Sequence, residues 1–255
     1  MSDMLCAIEA GIATVTLNRP TLRNSVTFAM WREVGDIFSK LGRDRSVRAV
    51  ILTGAGSDFS AGADIGEFAS TRDDRAQSIA YEEAVDHGCN EIANIAKPVI
   101  AVTSGYCLGG GAHLAMSCDF RFAHDAAIFG IPAARLSIVY GVQATRKLAA
   151  LVGLTEAKRI LYSAERFDAA RAMKTGFVDH VSPDPMAAAR AFAEQLTRNA
   201  PLTIAGAKYI LNETAFGTFD ATQAAGLIDA ASDSNDYREG RAAFAEKRAP
   251  HFTGE

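Results

Sequence analysis

Gly105-Tyr106-Cys107-Leu108-Gly109-Gly110-Gly111-Ala112-His113-Leu114-Ala115-Met116-Ser117-Cys118-Asp119 is the stretch on which the fold turns. An apolar run, Pro98-Val99-Ile100-Ala101-Val102, leads towards the three glycines, and a helix-like run, Ala112 to Met116, leads away. A strand that passes through glycines into a helix leaves backbone N–H groups unpaired at the positive helix end. Negative charge that develops on a ligand is stabilised there without any side chain. The same pattern also serves a tight strand-to-helix turn that simply needs small residues.

A second segment bears on the choice. Val47 to Thr53 reads as a buried strand and runs into Gly54-Ala55-Gly56-Ser57-Asp58-Phe59-Ser60-Ala61-Gly62-Ala63-Asp64-Ile65. Phe59 to Ile65 stands about 45 residues ahead of the glycine triplet. The ordered pair resembles the crotonase (enoyl-CoA hydratase/isomerase) family. The likeness begins at Leu17-Asn18-Arg19-Pro20, continues through Phe129-Gly130-Ile131-Pro132 and ends in Glu246-Lys247-Arg248-Ala249-Pro250. It implies an α/β fold with a crotonase-like ββα spiral core and a C-terminal α-helical trimerisation region. On that reading residues 1–195 form the acyl-CoA-binding core and residues 196–255 a helical oligomerisation region.

The resemblance further implies an acyl-CoA or enoyl-CoA substrate, with CoA as part of the substrate and no separate cofactor. Two main-chain N–H groups would hold an enolate oxygen, and the motifs assign them to Ala63 and Gly110. Hydratases of this family also use two glutamates. The first position, three residues after the oxyanion-hole glycine, is here His113. The second, in a Gly-x-Pro-Glu motif, is here Ala133 of Gly130-Ile131-Pro132-Ala133. A methyl group moves no proton, and a placed acid or base is worth ~10²–10⁴ in rate, so two-glutamate hydration does not follow. His113 stands as the leading replacement, since a positive helix end favours the neutral, proton-accepting imidazole. It also reads as a packing histidine. Tyr140 is either a hydroxyl donor or, preferably, a ring lining an acyl pocket. Arg135 suits a substrate carboxylate or an internal acid.

Asp64 reads as a cap on the turn Ile65-Gly66-Glu67-Phe68. The family likeness adds Ser60, Ala61, Asp64 and Ile65 as CoA-binding residues through their main chain. Arg23 and, more weakly, Lys247 are placed near CoA phosphates, and both also read as solvated surface charges.

Composition narrows the classes. At 255 residues, 49% hydrophobic and 22% charged, the chain is long enough for one α/β core plus an appendage. A net charge of −4 gives no reason to expect nucleic acid or an anionic membrane as partner. The four cysteines, Cys6, Cys89, Cys107 and Cys118, form no CxxC pair or zinc spacing, so no metal is expected. They read as reduced, mostly buried thiols of a cytoplasmic protein without a signal or membrane segment. The glycines lack the last glycine of GxGxxG, no GK[ST] follows them, and no GxSxG occurs, which disfavours dinucleotide, triphosphate and serine-hydrolase readings.

Periodicity places strands at Leu5–Ala10 and Ile12–Leu17 around Gly11, then a helix capped by Thr27 that buries Trp31, Val34, Phe38 and Leu41. Ser70 to Gln77 reads as a polar loop and Ile79 to Ala96 as a helix. Strands follow at Val99–Thr103, Asp119–Ala123, Ala127–Ile131 and Phe177–Val181. Later helices are expected at 144–152, 155–163, 168–175, 186–199, 202–216, 220–232 and 237–247. Strands alternating with helices argue for a mainly parallel sheet. A homotrimer or dimer of trimers rests on the resemblance alone. Two functions therefore stand side by side. One is an acyl-CoA lyase or isomerase of fatty acid metabolism with a non-glutamate proton carrier. The other is a CoA-thioester-binding protein with little or no turnover.

Overall fold

The computed structural model describes residues 2–136, 138–216 and 220–255. Ser137, in the loop 136–141, lies outside them. Among the described residues the strands are β1 (Met4–Glu9), β2 (Ile12–Leu17), β3 (Ala49–Gly54), β4 (Val99–Thr103), β5 (Tyr106–Leu108), β6 (Phe120–His124), β7 (Ile128–Gly130), β8 (Arg166–Asp168) and β9 (His180–Ser182). The helices are α1 (Phe28–Arg43), α2 (Phe68–Thr71), α3 (Arg75–Asn94), α4 (Gly110–Ser117), α5 (Val142–Ser163), α6 (Ala169–Thr175), α7 (Pro185–Thr197), α8 (Pro201–Phe216), α9 (Ala221–Asp233) and α10 (Asn235–Glu246).

β1 and β2 pair antiparallel around Gly11, with Glu9 opposite Ile12 and Met4 opposite Leu17. The larger sheet has the order β1-β2-β3-β4-β6-β9, and every pair beyond the first hairpin is parallel. Alternation along its strands separates two cores. Val50, Leu52, Val99 and Ala101 face Trp31, Val34 and Phe38 of α1 and Cys89 and Ile92 of α3. Ala49, Ile51, Ile100 and Val102 face Ala189 and Ala193 of α7 on the other side. A sheet buried on both faces needs the near-continuous apolar strands seen here. The smaller sheet has the order β5-β7-β8. α7 runs across residues 195–196, and its buried alanines belong to the second core.

The structure moves several expected boundaries. Thr27 caps α1 as expected, accepting from Met30 N at 3.2 Å. α3 starts earlier than expected, within the segment read as a polar loop, because Asp74 accepts from Gln77 N at 2.8 Å and nucleates it. The two helices expected at 144–152 and 155–163 form the single run α5, broken in conformation at Gly153 (φ 74°). The strand expected at Phe177–Val181 forms later, at His180–Ser182, because Phe177 is drawn into the core with no exposed surface. β5 and β8 have no counterpart among the expected strands. The C-terminal segment folds back on the core. Arg48 donates to Phe252 O at 3.0 Å, and the buried Asp236 accepts from Thr253 N and Gly254 N at 2.7 and 2.9 Å.

Candidate active site

The two glycine-bearing segments meet. Ser60 N donates to Tyr106 O at 2.8 Å and Leu108 N returns a bond to Ser60 O at 3.0 Å, which sets the segment 59–63 beside β5. Asn24, fully buried, fixes the approach by donating to Ala55 O and Asp58 O at 2.8 and 2.6 Å. A Cβ on Gly62 (φ 102°) would lie 2.7 Å from Leu108 O. A Cβ on Gly110 would lie 2.9 Å from Trp31 Cζ2 and 3.2 Å from Ala63 N. Only glycine lets the two backbones come this close. Ala63 N–H and Gly110 N–H donate to no protein acceptor among the described residues, although their neighbours Gly62, Asp64 and His113 all do. Both residues line one cavity of about 120 Å³.

His113 stands on the first turn of α4 in the same cavity, 3% exposed. Its Nε2 is buried and has no hydrogen-bond partner among the described residues. Burial, helped by the nearby Lys147 ammonium, pushes its pKa down to about 3, so the ring is neutral at pH 7. Lys147 is itself buried and donates to Ser117 Oγ at 3.0 Å, and Ser117 Oγ donates to His113 O at 2.8 Å. Tyr140 places its ring centroid 6.0 Å from that of His113 and donates its hydroxyl to Gly109 O at 3.0 Å. Burial raises the Tyr140 pKa well above its ordinary value. Its ring lines the cavity, and its proton is spent on the strand that delivers Gly110. Ala133 is also in the lining.

The opposite wall comes from α2, α3 and the link between them; the sequence places Phe68 at the pocket, but Arg72, Tyr81 and Glu82 were missed. Phe68, Arg72, Tyr81, Glu82 and Val85 line the cavity. The Arg72 guanidinium lies 5.0 Å from the Phe68 ring centroid and 4.9 Å from that of Tyr81, and binds Glu82 Oε1 at 2.7 Å. Tyr81 accepts from Trp31 Nε1 at 3.0 Å, and burial pushes its pKa up to about 12. Desolvation, reinforced by Asp86 and opposed by Arg72, raises the Glu82 pKa above the usual carboxylate range. The available signal was the spacing of Glu82 and Asp86, one turn apart on a helix whose apolar positions had drawn attention.

The remaining expected residues divide. Ala61 and the exposed Ile65 line the cavity, and Ala61 N donates to Arg23 O at 2.8 Å. Ser60 is buried, its hydroxyl donating to Asn24 O and accepting from Gly62 N. Asp64 caps the turn at Gly66 N as expected and pairs with Arg19 at 2.8 Å, which holds its carboxyl below the usual range. Arg23 is exposed, over the Tyr106 ring at 4.8 Å, outside the cavity lining. Arg135 is exposed on the turn Pro132–Leu136, also outside the lining. Lys247 stands just past α10 and not within it, since its N–H closes the helix on Ala243 O and Phe244 O, and it too is outside the lining. Cys6 is exposed, whereas Cys89, Cys107 and Cys118 are buried, with thiols that burial pushes up. Among the described residues no helix is long and apolar enough to cross a membrane, and no cluster of His, Cys, Asp or Glu could hold a metal ion.

Strands of two sheets that run into glycine turns, with two N–H groups at one cavity that find no acceptor among the described residues, define a crotonase-like fold. Residues 7–255 match the model of the family described as enoyl-CoA hydratase/isomerase. The chain is 31% identical over 264 residues to the 2,3-dehydroadipyl-CoA hydratase of Escherichia coli, covering 100% of both. It is 32% identical over 255 residues to the short-chain-enoyl-CoA hydratase of Clostridium acetobutylicum, covering 97% of this chain and 96% of that one. The crystal structure of an enoyl-CoA hydratase/carnithine racemase from Magnetospirillum magneticum superposes with a TM-score of 0.94 at 33% identity, covering 100% of this chain and 97% of that one. The chain belongs to the enoyl-CoA hydratase/isomerase family.

Proposed function

We propose that this protein is an enzyme that forms an enolate from an acyl-CoA or enoyl-CoA thioester. The observation that carries the reading is the pair of N–H groups of Ala63 and Gly110, without an acceptor among the described residues, on two residues that line one cavity beside the start of α4. Two fixed donors and a helix dipole stabilise charge that grows on a carbonyl oxygen without reorganising during the reaction. His113 would act beside them. An enolate forming next to the neutral ring raises its proton affinity, since a neighbouring negative charge favours imidazolium. Tyr140 would hold the Gly109 carbonyl and with it the register of Gly110. Ser60, Ala61 and Asp64 spend their N–H groups inside the protein. Ser60 is fully buried and its carbonyl already accepts from Leu108 N, so only Ala61 and Asp64 can meet a CoA adenine amine, through their carbonyl oxygens, with Ile65 beside it. Arg23 and Lys247 are the proposed phosphate partners.

Mass spectrometry of a panel of acyl- and enoyl-CoA thioesters incubated in heavy water tests the reading. Deuterium is expected at the α-carbon of at least one member. Binding of thioesters without incorporation into any of them would overturn it.

A further inference from the structure

The cavity holds one carboxylate among its described lining residues, Glu82, and it comes from α3 and not from either segment that carries the family motifs. We infer that Glu82 is the catalytic residue that removes and returns the proton next to the substrate carbonyl. The inference rests on the thioester reading above.

Three observations point to it. Only Oε1 of Glu82 is engaged, by Arg72 at 2.7 Å. Oε2 has no hydrogen-bond partner among the described residues and is turned towards Gly141, where an added Cβ would lie 3.8 Å from it. Gly141 is the N-cap of α5, so the helix end there favours the carboxylate form after each turnover. The Arg72 guanidinium is itself packed against the rings of Phe68 and Tyr81, so the carboxylate is oriented before substrate arrives. Finally, the carboxylate shares its cavity with Ala63, Gly110 and His113. A base and an oxyanion site in one enclosed space are what enolate formation requires.

The step balances within the protein and substrate. Glu82 Oε2 forms a bond to the substrate hydrogen as the C–H bond breaks. The electron pair moves into the enolate, whose oxygen accepts from Ala63 and Gly110 N–H. The neutral acid then returns the proton to carbon. When the neutral acid trades its proton with water first, return to the same carbon gives exchange with solvent hydrogen, and return to the γ-carbon of an unsaturated chain moves the double bond. The charged and titratable groups around Glu82 are Arg72, Asp86, Tyr81, Cys89 and Tyr140. Desolvation and Asp86 push the Glu82 pKa up, and Arg72 opposes them.

The experiment measures α-deuterium exchange on butyryl-CoA and 3-hexenoyl-CoA for the wild type, Glu82→Gln and Glu82→Ala, with thioester Kd and Tm for each. Glu82→Gln is expected to lose ~10²–10⁴-fold in exchange rate while Kd stays within about threefold. Added formate is expected to restore part of the Glu82→Ala rate. Arg72→Met is expected to move the acid limb of the pH profile to higher pH. If the wild type exchanges and Glu82→Gln exchanges equally, Glu82 only latches α3 to Arg72 and the inference falls alone. If the wild type binds both thioesters and exchanges neither, the thioester reading and this inference fall together.

Discussion

His113 shows how far a single environment can change a residue's chemistry. Its sequence position promised a proton carrier, and its burial, 3% exposed, makes it a neutral ring with a pKa of about 3. The folded protein therefore binds a proton at this site less readily than the unfolded chain, whose imidazole titrates near 6.5. The stability this group contributes is complete above about pH 6.5 and is lost as pH falls towards 3. The slope is at most about 1.4 kcal/mol per pH unit. Denaturant titrations between pH 4 and 7 are expected to show this slope, and His113→Gln to remove it. An unchanged slope in that variant would place the titrating group elsewhere, Lys147 being protonated throughout that range in the unfolded chain. The glycines were legible in the sequence because the motif demands them. The need for Gly110 came into view only with Trp31 Cζ2, 2.9 Å from where its Cβ would stand. That neighbour is far away in the chain, so no local pattern announces it.

Among the elements, α1 and α3 divide along the same line. The apolar stripe of α1 (Trp31, Val34, Phe38, Leu41) and its Thr27 cap could be read directly, since both are local. The start of α3 was hidden because its buried face begins at Tyr81, two turns inside the helix. That hid the wall bearing Arg72 and Glu82. β5 and β8, three residues each, exist through pairing with β7, which local sequence does not encode. The Asp74 cap is the device that orders the approach to this wall. Asp74→Ala is expected to cost about 0.5–2 kcal/mol, and far-UV circular dichroism with thermal melting measures it. No loss of Tm would mean that tertiary packing alone sets the start of the helix.

At the scale of the whole molecule, the sheet is closed on both faces, yet the C-terminal helices keep apolar side chains in solvent. Leu211 is 67% exposed, Ile228 56% and Phe244 87%. Such positions on consecutive helices suit contact with further copies of the chain. We propose a homotrimer or a dimer of trimers assembled through α8 to α10. Sedimentation equilibrium is expected to give three or six times the chain mass, and a monomer at micromolar concentration would overturn the proposal.

The distribution of sulfur has its own consequence. Cys6 lies on the exposed side of β1, while Cys89, Cys107 and Cys118 sit sealed around α4 with thiols that burial keeps protonated. Alkylating reagents act on the thiolate and need access to it. The native chain thus presents a single exposed handle for a dye or spin label, outside the cavity lining. The three sealed thiols become reagents' targets only when the core around α4 opens, which makes their labelling rate a clock for breathing of the region that carries Gly110 and His113.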